Sequence, residues 1–251
     1  MSANFLSLPS ELRNNIYEQL LVLQEPVACP THPWFGQSQL RALTPGLLRA
    51  NKTVHLEASS ILYAQNRFDF TMCTSEDVTS FLDQIGRNNA SYILYTCVDF
   101  PKFHYLDLHD VTLEDDSVRI LAKIQSDCTR LGTLTTSLHS TNAMEVKLDA
   151  LDYPKVVGEA LALVDARFRA ISSLQEIIVE VYEDGPSDHI RREMKNRGWT
   201  ISTTEYVEES DFDRSFSDIQ DDYYRYDDDS GGGGDDYDID DDSDFWRRAG
   251  D

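Results

Sequence analysis

The sequence has few basic residues, and it lacks the long apolar runs that membrane proteins need. Lys and Arg number 22 against 45 Asp and Glu, so the 251 residues carry a formal net charge of −23. Nucleic acids and anionic membrane surfaces bind proteins through clustered Lys and Arg, so we expect neither nucleic acid nor a membrane as a partner. No apolar run approaches the roughly 20 residues of a membrane-spanning helix, which supports the same expectation.

Paired cysteines and a secretory signal are also missing. The four cysteines are far apart in the sequence and form no C-x-x-C pair. The first residues, Met1–Phe5, include no basic region and begin no long apolar stretch, so a secretory signal is not expected. Together these features predict reduced thiols in a cytoplasmic or nuclear protein.

The motifs of several common enzyme classes are absent as well. The chain contains no phosphate-binding P-loop, no dinucleotide-binding G-x-G-x-x-G and no G-x-S-x-G nucleophile elbow. Its four consecutive glycines, Gly231–Gly234, follow an acidic run and have no nearby Lys that could hold a phosphate. The sequence therefore predicts a protein that is not an enzyme and uses no cofactor.

One cluster of possible metal ligands supports a competing hypothesis, a small hydrolase or metal enzyme. The cluster is His104-Tyr105-Leu106-Asp107-Leu108-His109-Asp110. Two His and two Asp bind a metal ion if a loop brings them together. The two His are five positions apart, however, which places them on neither one side of a helix nor one side of a strand. We therefore predict a solvated loop here and no metal site.

The charge is concentrated at the C-terminal end of the chain. Residues 205–251 contain nineteen Asp or Glu against four Arg and no Lys. Such a segment repels itself and has few aliphatic residues, so it cannot bury enough surface to offset its ordering entropy. We predict a disordered acidic tail over residues 208–251.

The remaining residues alternate between helical and strand-like periodicity. Helical spacing is found at about 9–21, from Thr44 through Tyr63, from Thr74 to Gly86, at 118–132, at 154–171 and at 187–198. Strand-like segments are centred near residues 68, 96, 136, 178 and 202. Strands that alternate with helices usually form a parallel sheet, so the predicted fold class is α/β with a mostly parallel sheet.

Two segments of the N-terminal part resemble a known family. The first is Phe5-x-x-Leu8-Pro9-x-Glu11-Leu12-Arg13-x-x-Ile16-Tyr17-x-x-Leu20-Leu21. The second is Leu47-Leu48-Arg49-x-Asn51-Lys52-x-Val54-x-x-Glu57-Ala58-x-x-Ile61-Leu62-Tyr63-x-x-Asn66-x-Phe68-x-Phe70. Together they resemble the F-box-like proteins of filamentous fungi, also described as the two-EXR group. The resemblance implies an F-box-like helical segment over residues 1–70, followed by an α/β body over residues 71–207.

The resemblance also implies a function. In F-box proteins the Leu-Pro helix docks on a Skp-type adaptor, which connects to a cullin–RING ubiquitin ligase, and a downstream domain holds a client protein. Carried over to this chain, the adaptor contacts are Leu8, Pro9, Leu12, Ile16 and Leu20. The client is unknown. Apolar residues four apart on one helix suit a groove in a partner.

Two alternatives remain at this point. The same fold could serve as a stand-alone binding scaffold without a link to ubiquitin. The apolar residues Leu12, Ile16 and Leu20 could also be core residues that pack on Leu47, Val54 and Ile61, because one apolar stripe does not fully serve both a core and a partner.

Overall fold

A six-stranded parallel sheet organises the residues that the computed structural model describes, which are 5–29, 45–107, 110–151 and 153–205. The described strands are β1 (Val27–Ala28), β2 (Arg67–Asp69), β3 (Tyr95–Val98), β4 (Phe103–Asp107), β5 (Asp110–Leu113), β6 (Thr133–Thr136), β7 (Glu176–Tyr182) and β8 (Thr200–Thr204). The sheet has the order β1-β2-β3-β6-β7-β8, and every neighbouring pair is parallel. Strands β4 and β5 form a separate antiparallel hairpin.

Seven α-helices are found among the described residues. They are α1 (Ser10–Leu21), α2 (Lys52–Gln65), α3 (Ser75–Ala90), α4 (Asp115–Asp127), α5 (Leu138–Asp149), α6 (Pro154–Arg169) and α7 (Asp188–Asn196). The strand order never reverses, so right-handed crossovers place the connecting helices along one face of the sheet. Packing agrees with this arrangement, because α4 contacts both α3 and α6, and α6 contacts α7.

The strands alternate between a buried row and a more exposed row of side chains. Phe68, Thr96, Leu134 and Ile177 lie side by side in register on four neighbouring strands, and all four are buried. The residues that follow them, such as Asp69 and Cys97, point to the other face and are only partly buried. This period of two is what a sheet with helices packed on one face requires.

The sequence-based fold class is confirmed at the level of an α/β protein with a mostly parallel sheet. All five predicted strand centres fall within β2, β3, β6, β7 and β8. The helical spacing predicted from Thr74 begins with an N-cap at that residue: the Thr74 side chain accepts the N–H of Asp77 while the Asp77 carboxylate accepts the N–H of Thr74. This reciprocal pair satisfies two of the N–H groups that a helix start leaves open.

Several predicted boundaries are wrong. The helix expected from Thr44 begins only at Lys52, because Pro45–Arg49 forms a 3₁₀ helix and the Asn51 side chain caps α2 by accepting the N–H groups of Thr53 and Val54. Helix α3 does not stop at Gly86. It kinks there, at a φ of 76° that glycine tolerates, and continues to Ala90.

The segment predicted as a solvated loop at residues 104–110 is also different in the structure. Its described residues, 104–107 and 110, belong to the strands β4 and β5, in which Phe103 lies opposite Leu113 and Asp107 lies opposite Asp110. Phe103 and Leu113 are buried at the base of the hairpin, which packs on α6. These two apolar anchors explain why an otherwise polar segment forms strands.

Some sequence predictions fall on other parts of the chain. The acidic tail at 208–251, Thr44 and His109 lie outside the described residues. Within the described ranges, no helix combines the length and the apolar character needed to cross a bilayer.

Candidate partner-binding site

Helix α1 begins at the Leu-Pro turn that the sequence motif contains. The sequence predicts helical spacing from about residue 9; in the structure Pro9 is the N-cap residue and Ser10 the first helical one, and the Pro9 carbonyl accepts the N–H groups of Leu12 (3.1 Å) and Arg13 (3.2 Å). Proline loses nothing at such a helix start, where its missing N–H would have no helical acceptor. Glu11 lies in the first turn, where a carboxylate interacts favourably with the helix dipole.

The apolar residues of α1 divide between two sides of the helix. Tyr17 and Leu21 are fully buried, whereas Leu12 is 49% exposed and Leu20 is 37% exposed. Ile16 lies between these extremes and is half-buried. A step of one residue turns the helix by about 100°, so these two sets of side chains point in different directions. The side with Tyr17 and Leu21 faces the core, and the side with Leu12 and Leu20 faces outward.

A polar cluster holds the buried side of α1 against α2. The Arg13 guanidinium donates to both carboxylate oxygens of Glu57, from Nε to Oε2 at 2.9 Å and from Nη2 to Oε1 at 2.6 Å. It also donates to the carbonyl of Leu8. The Tyr17 hydroxyl donates to Glu57 Oε2 at 3.0 Å. Bidentate Arg–carboxylate contacts of this kind fix orientation as well as distance.

The protonation states of this cluster follow from the same contacts. The hydrogen bond with Arg13 lowers the pKa of Glu57, and the carboxylate in turn raises the pKa of Arg13. Burial and the hydrogen bond to Glu57 raise the pKa of Tyr17 to about 12. The three groups therefore remain a cation, an anion and a neutral donor throughout the physiological pH range.

A second connection lies at the other end of the two helices. Asn66 is buried directly after α2, and its side-chain Nδ2 donates to the carbonyls of Leu21 (2.7 Å) and Leu62 (2.8 Å). Its Oδ1 accepts the N–H of Leu23 at 2.8 Å. One amide thus satisfies the open carbonyls at the C-terminal ends of both α1 and α2. The two helices are consequently fixed at both ends.

The five predicted adaptor contacts are all on or beside α1, but their exposure differs. Pro9, Leu12 and Leu20 are exposed, whereas Leu8 and Ile16 are half-buried. The alternative in which Leu12 and Leu20 are core residues is wrong, because Tyr17 and Leu21 occupy the core side of α1.

Leu6, in the short 3₁₀ helix Phe5–Ser7 just before α1, is also 39% exposed. We call Leu6, Pro9, Leu12, Ile16 and Leu20 the α1 outer face.

A double-mutant cycle measures the interaction free energy between Arg13 and Glu57. We expect Arg13→Met and Glu57→Gln each to lower the free energy of unfolding, and the double variant to lower it by less than the two single losses combined. Urea unfolding of the four proteins gives the coupling. The surface pair Arg119–Glu76, 3.8 Å apart and mostly exposed, is the control and should show almost none. If the interaction free energies of the two pairs are equal, Arg13 does not hold α1 against α2 in the way proposed.

Sheet topology bears on the competing enzyme hypothesis. In open α/β sheets, ligands bind beyond the carboxyl ends of the strands where the strand order reverses. The strand order of this sheet never reverses among the described strands. A pocket of about 40 Å³ does lie beyond β2 and β3, beside Phe70, Val98 and Asp99. It has room for a few water molecules.

Two of the three carboxylates that line this pocket, Asp99 and Asp116, accept hydrogen bonds from neighbouring segments of the chain. Asp99 accepts the N–H of Met72 (2.9 Å) and the hydroxyl of Ser137 (3.0 Å). Asp116 accepts the N–H of Ser75 at 3.1 Å. These contacts cap backbone groups, which is a structural use of a carboxylate. Likewise, no three His, Cys, Asp or Glu side chains of the described ranges converge as a metal site.

The residues expected to contact an adaptor lie on or beside α1, but the residues that orient this helix were not predicted. Glu57 and Asn66 belong to the second motif segment, but the partner of neither is evident from the sequence. The available signal was their polarity within an apolar segment, since buried polar groups need partners. Comparisons with protein-family models, with curated proteins and with solved structures found no match for this chain.

Proposed function

We propose that this chain is a non-catalytic protein-interaction module, with an α1 outer face that binds a Skp-type adaptor of a cullin–RING ubiquitin ligase. The α/β body then holds a client protein. The supporting observation is the outward orientation of Leu12 and Leu20 on a helix whose other side is buried and braced. The choice of partner class follows from the resemblance of the two motif segments to F-box-like proteins.

The physics of this face suits a helix-in-groove contact. Leu12, Ile16 and Leu20 are four residues apart, so they follow one line along α1. Apolar side chains in such a line enter a hydrophobic groove of a partner, and a few anchors supply most of the binding energy. Because Arg13 and Asn66 fix α1 in place, binding requires little ordering of the helix, which lowers its entropic cost.

Capture by a recombinant Skp-type adaptor tests the proposal. The double variant Leu12→Asp with Leu20→Asp should weaken adaptor binding by at least about 100-fold, because two charged groups would have to enter an apolar groove. Both side chains are exposed in the free protein, so the helical circular-dichroism signal and Tm should change little. The dissociation constant is measured by isothermal titration calorimetry or by surface plasmon resonance with immobilised adaptor.

A matched control uses exposed apolar residues elsewhere. Met72 is 74% exposed and Val146 is 65% exposed, and changing both to Asp adds the same charge away from α1. This control should bind the adaptor as tightly as the unchanged protein. If the unchanged chain does not bind the adaptor, or if both double variants bind equally well, the adaptor assignment is wrong. The stand-alone scaffold would then be the better interpretation.

A further inference from the structure

Two cysteines meet at the sheet edge nearest to α1. Cys29 directly follows β1, and its N–H donates to the carbonyl of Asp69 at 3.1 Å, which extends the pairing of β1 with β2. Cys73 lies after β2, in a turn closed by its own N–H donating to the carbonyl of Phe70 at 3.3 Å. The register of β1 with β2 brings Cys29 beside Phe70, the residue on which the Cys73 turn closes, so the fold places the two cysteines, 44 positions apart in the sequence, next to each other.

The carboxylates of Asp69 and Asp99 hold the turn that carries Cys73. Asp69 Oδ1 accepts the N–H of Thr71, and Asp99 Oδ2 accepts the N–H of Met72, each at 2.9 Å. Met72 has a φ of 58°, a left-handed conformation that a non-glycine residue adopts only when its surroundings require it. The position of Cys73 relative to Cys29 is therefore set by the fold, which favours reaction between the two sulfurs.

The two thiols differ in access to solvent. Cys29 is buried, with 2% exposure, whereas Cys73 is only partly buried and lines the small pocket beside Phe70 and Val98. Of the two residues, Cys73 is therefore the more accessible to a reagent in solution. Cys29, its neighbour at the sheet edge, is the thiol that then attacks the Cys73 sulfur and releases the group bound there.

We propose that Cys29 and Cys73 form a reversible intramolecular disulfide by exchange with a low-molecular-weight disulfide. The Cys73 thiolate attacks one sulfur of glutathione disulfide, the S–S bond breaks, and one glutathione leaves as a thiolate. The Cys29 thiolate then attacks the Cys73 sulfur and displaces the second glutathione. The two protons lost by the cysteines go to the two glutathione thiolates, and two electrons pass to the former glutathione disulfide, so the reaction balances.

The surroundings of the pair determine how fast this exchange is. The hydrogen bond with Cys29, burial, and the carboxylates of Asp77 and Asp69 raise the pKa of Cys73. Little thiolate is present at neutral pH, and exchange is slow there. Below the pKa the thiolate fraction rises tenfold per pH unit, so the exchange rate should rise by about tenfold between pH 7 and pH 8.

The test uses the full folded chain in buffers of glutathione and glutathione disulfide at pH 8. After alkylation and digestion, mass spectrometry should show one peptide linked between Cys29 and Cys73, lost again in excess reduced glutathione. Cys128, which is fully buried, should remain a thiol. The oxidised protein should melt on the order of 5–10 °C higher, because the bond closes a loop of about 45 residues in the unfolded chain.

Two variants test which cysteine reacts first and whether the link is specific to this pair. Cys29→Ser should leave Cys73 as a mixed disulfide with glutathione, whereas Cys128→Ser should still form the Cys29–Cys73 link. The measurement on the unchanged protein does not depend on whether these variants fold. The proposal is overturned if the folded chain stays reduced in buffers that oxidise the urea-unfolded chain, or if it accumulates the Cys73 mixed disulfide instead of the link.

Discussion

Replacing Phe168 by alanine should lower the free energy of unfolding by about 4 kcal/mol, a cost typical of a fully buried aromatic residue. Phe168 is fully buried on α6, and its ring lies 6.4 Å from that of Phe100 and 5.8 Å from that of Trp199. Phe100 follows β3 and Trp199 directly precedes β8, so this aromatic cluster joins the middle of the sheet to its far edge. Its loss leaves a cavity between elements that are distant in sequence.

Urea unfolding followed by far-ultraviolet circular dichroism measures this loss. Tyr105→Ala is the control, because Tyr105 is 50% exposed on the β4–β5 hairpin and should cost well under about 1 kcal/mol. Phe168→Leu should recover most of the stability, since it refills most of the volume. A loss below about 1 kcal/mol for Phe168→Ala would contradict the packing of the cluster.

The main strands could be predicted because their side chains carry the information locally. The segment Glu176–Tyr182 is rich in β-branched residues, and the structure buries Ile177, Val179 and Val181 while leaving the residues between them partly exposed. By contrast, β1 has only two residues and follows a proline. It exists because Val27 and Ala28 pair with Phe68 and Asp69, and a short segment cannot reveal such a distant partner.

Helix α5 could not be predicted for a different reason. The side that it buries includes Thr141 and Glu145 as well as Met144 and Leu148, while Val146 is exposed. Polar residues inside and an apolar residue outside cancel the periodicity on which a sequence-based prediction relies. The packing of α5 against β7, which the sequence pattern does not show, holds this side of the helix in the core.

The candidate site was predicted in part. Apolar spacing located α1, but two overlapping sets of residues, one with Leu12 and Leu20 and the other with Tyr17 and Leu21, both had helical spacing. The choice between them depends on Glu57, which receives the hydrogen bonds of Arg13 and Tyr17 from 40 or more positions away. Such long-range polar contacts leave no periodic signal in the sequence.

Glu145→Gln should make the protein more stable than the unchanged chain at pH 8, and this advantage should disappear towards pH 4.5. Both carboxyl oxygens of Glu145 are buried and have no hydrogen-bond partner among the described residues. The side chain packs against the turn at Gly185, where a Cβ would lie 3.1 Å from Glu145 Oε2. Burial raises the pKa of Glu145 to about 7, Arg191 opposes that shift, and Asp149 adds to it.

The raised pKa of Glu145 determines how its contribution to the free energy of unfolding changes with pH. A carboxyl with a higher pKa in the folded state than its ordinary 4.5 binds a proton more tightly when folded, so its contribution is fully favourable below pH 4.5. The contribution is lost as the pH rises from 4.5 to about 7. The full change corresponds to about 3 kcal/mol, since each pKa unit is worth about 1.4 kcal/mol. Glutamine carries no charge and escapes this loss.

Urea unfolding of both proteins at pH 4.5, 6, 7 and 8 measures the difference, and groups common to both cancel. Glu193→Gln on α7 is the matched control with the opposite sign, because the hydrogen bond with Arg197 lowers the pKa of Glu193. There the unchanged protein should lose its advantage over the variant as the pH falls. If the difference between the unchanged protein and Glu145→Gln is the same at every pH, the Glu145 carboxyl is solvated or paired in solution, and α5 packs on β7 differently from the arrangement described.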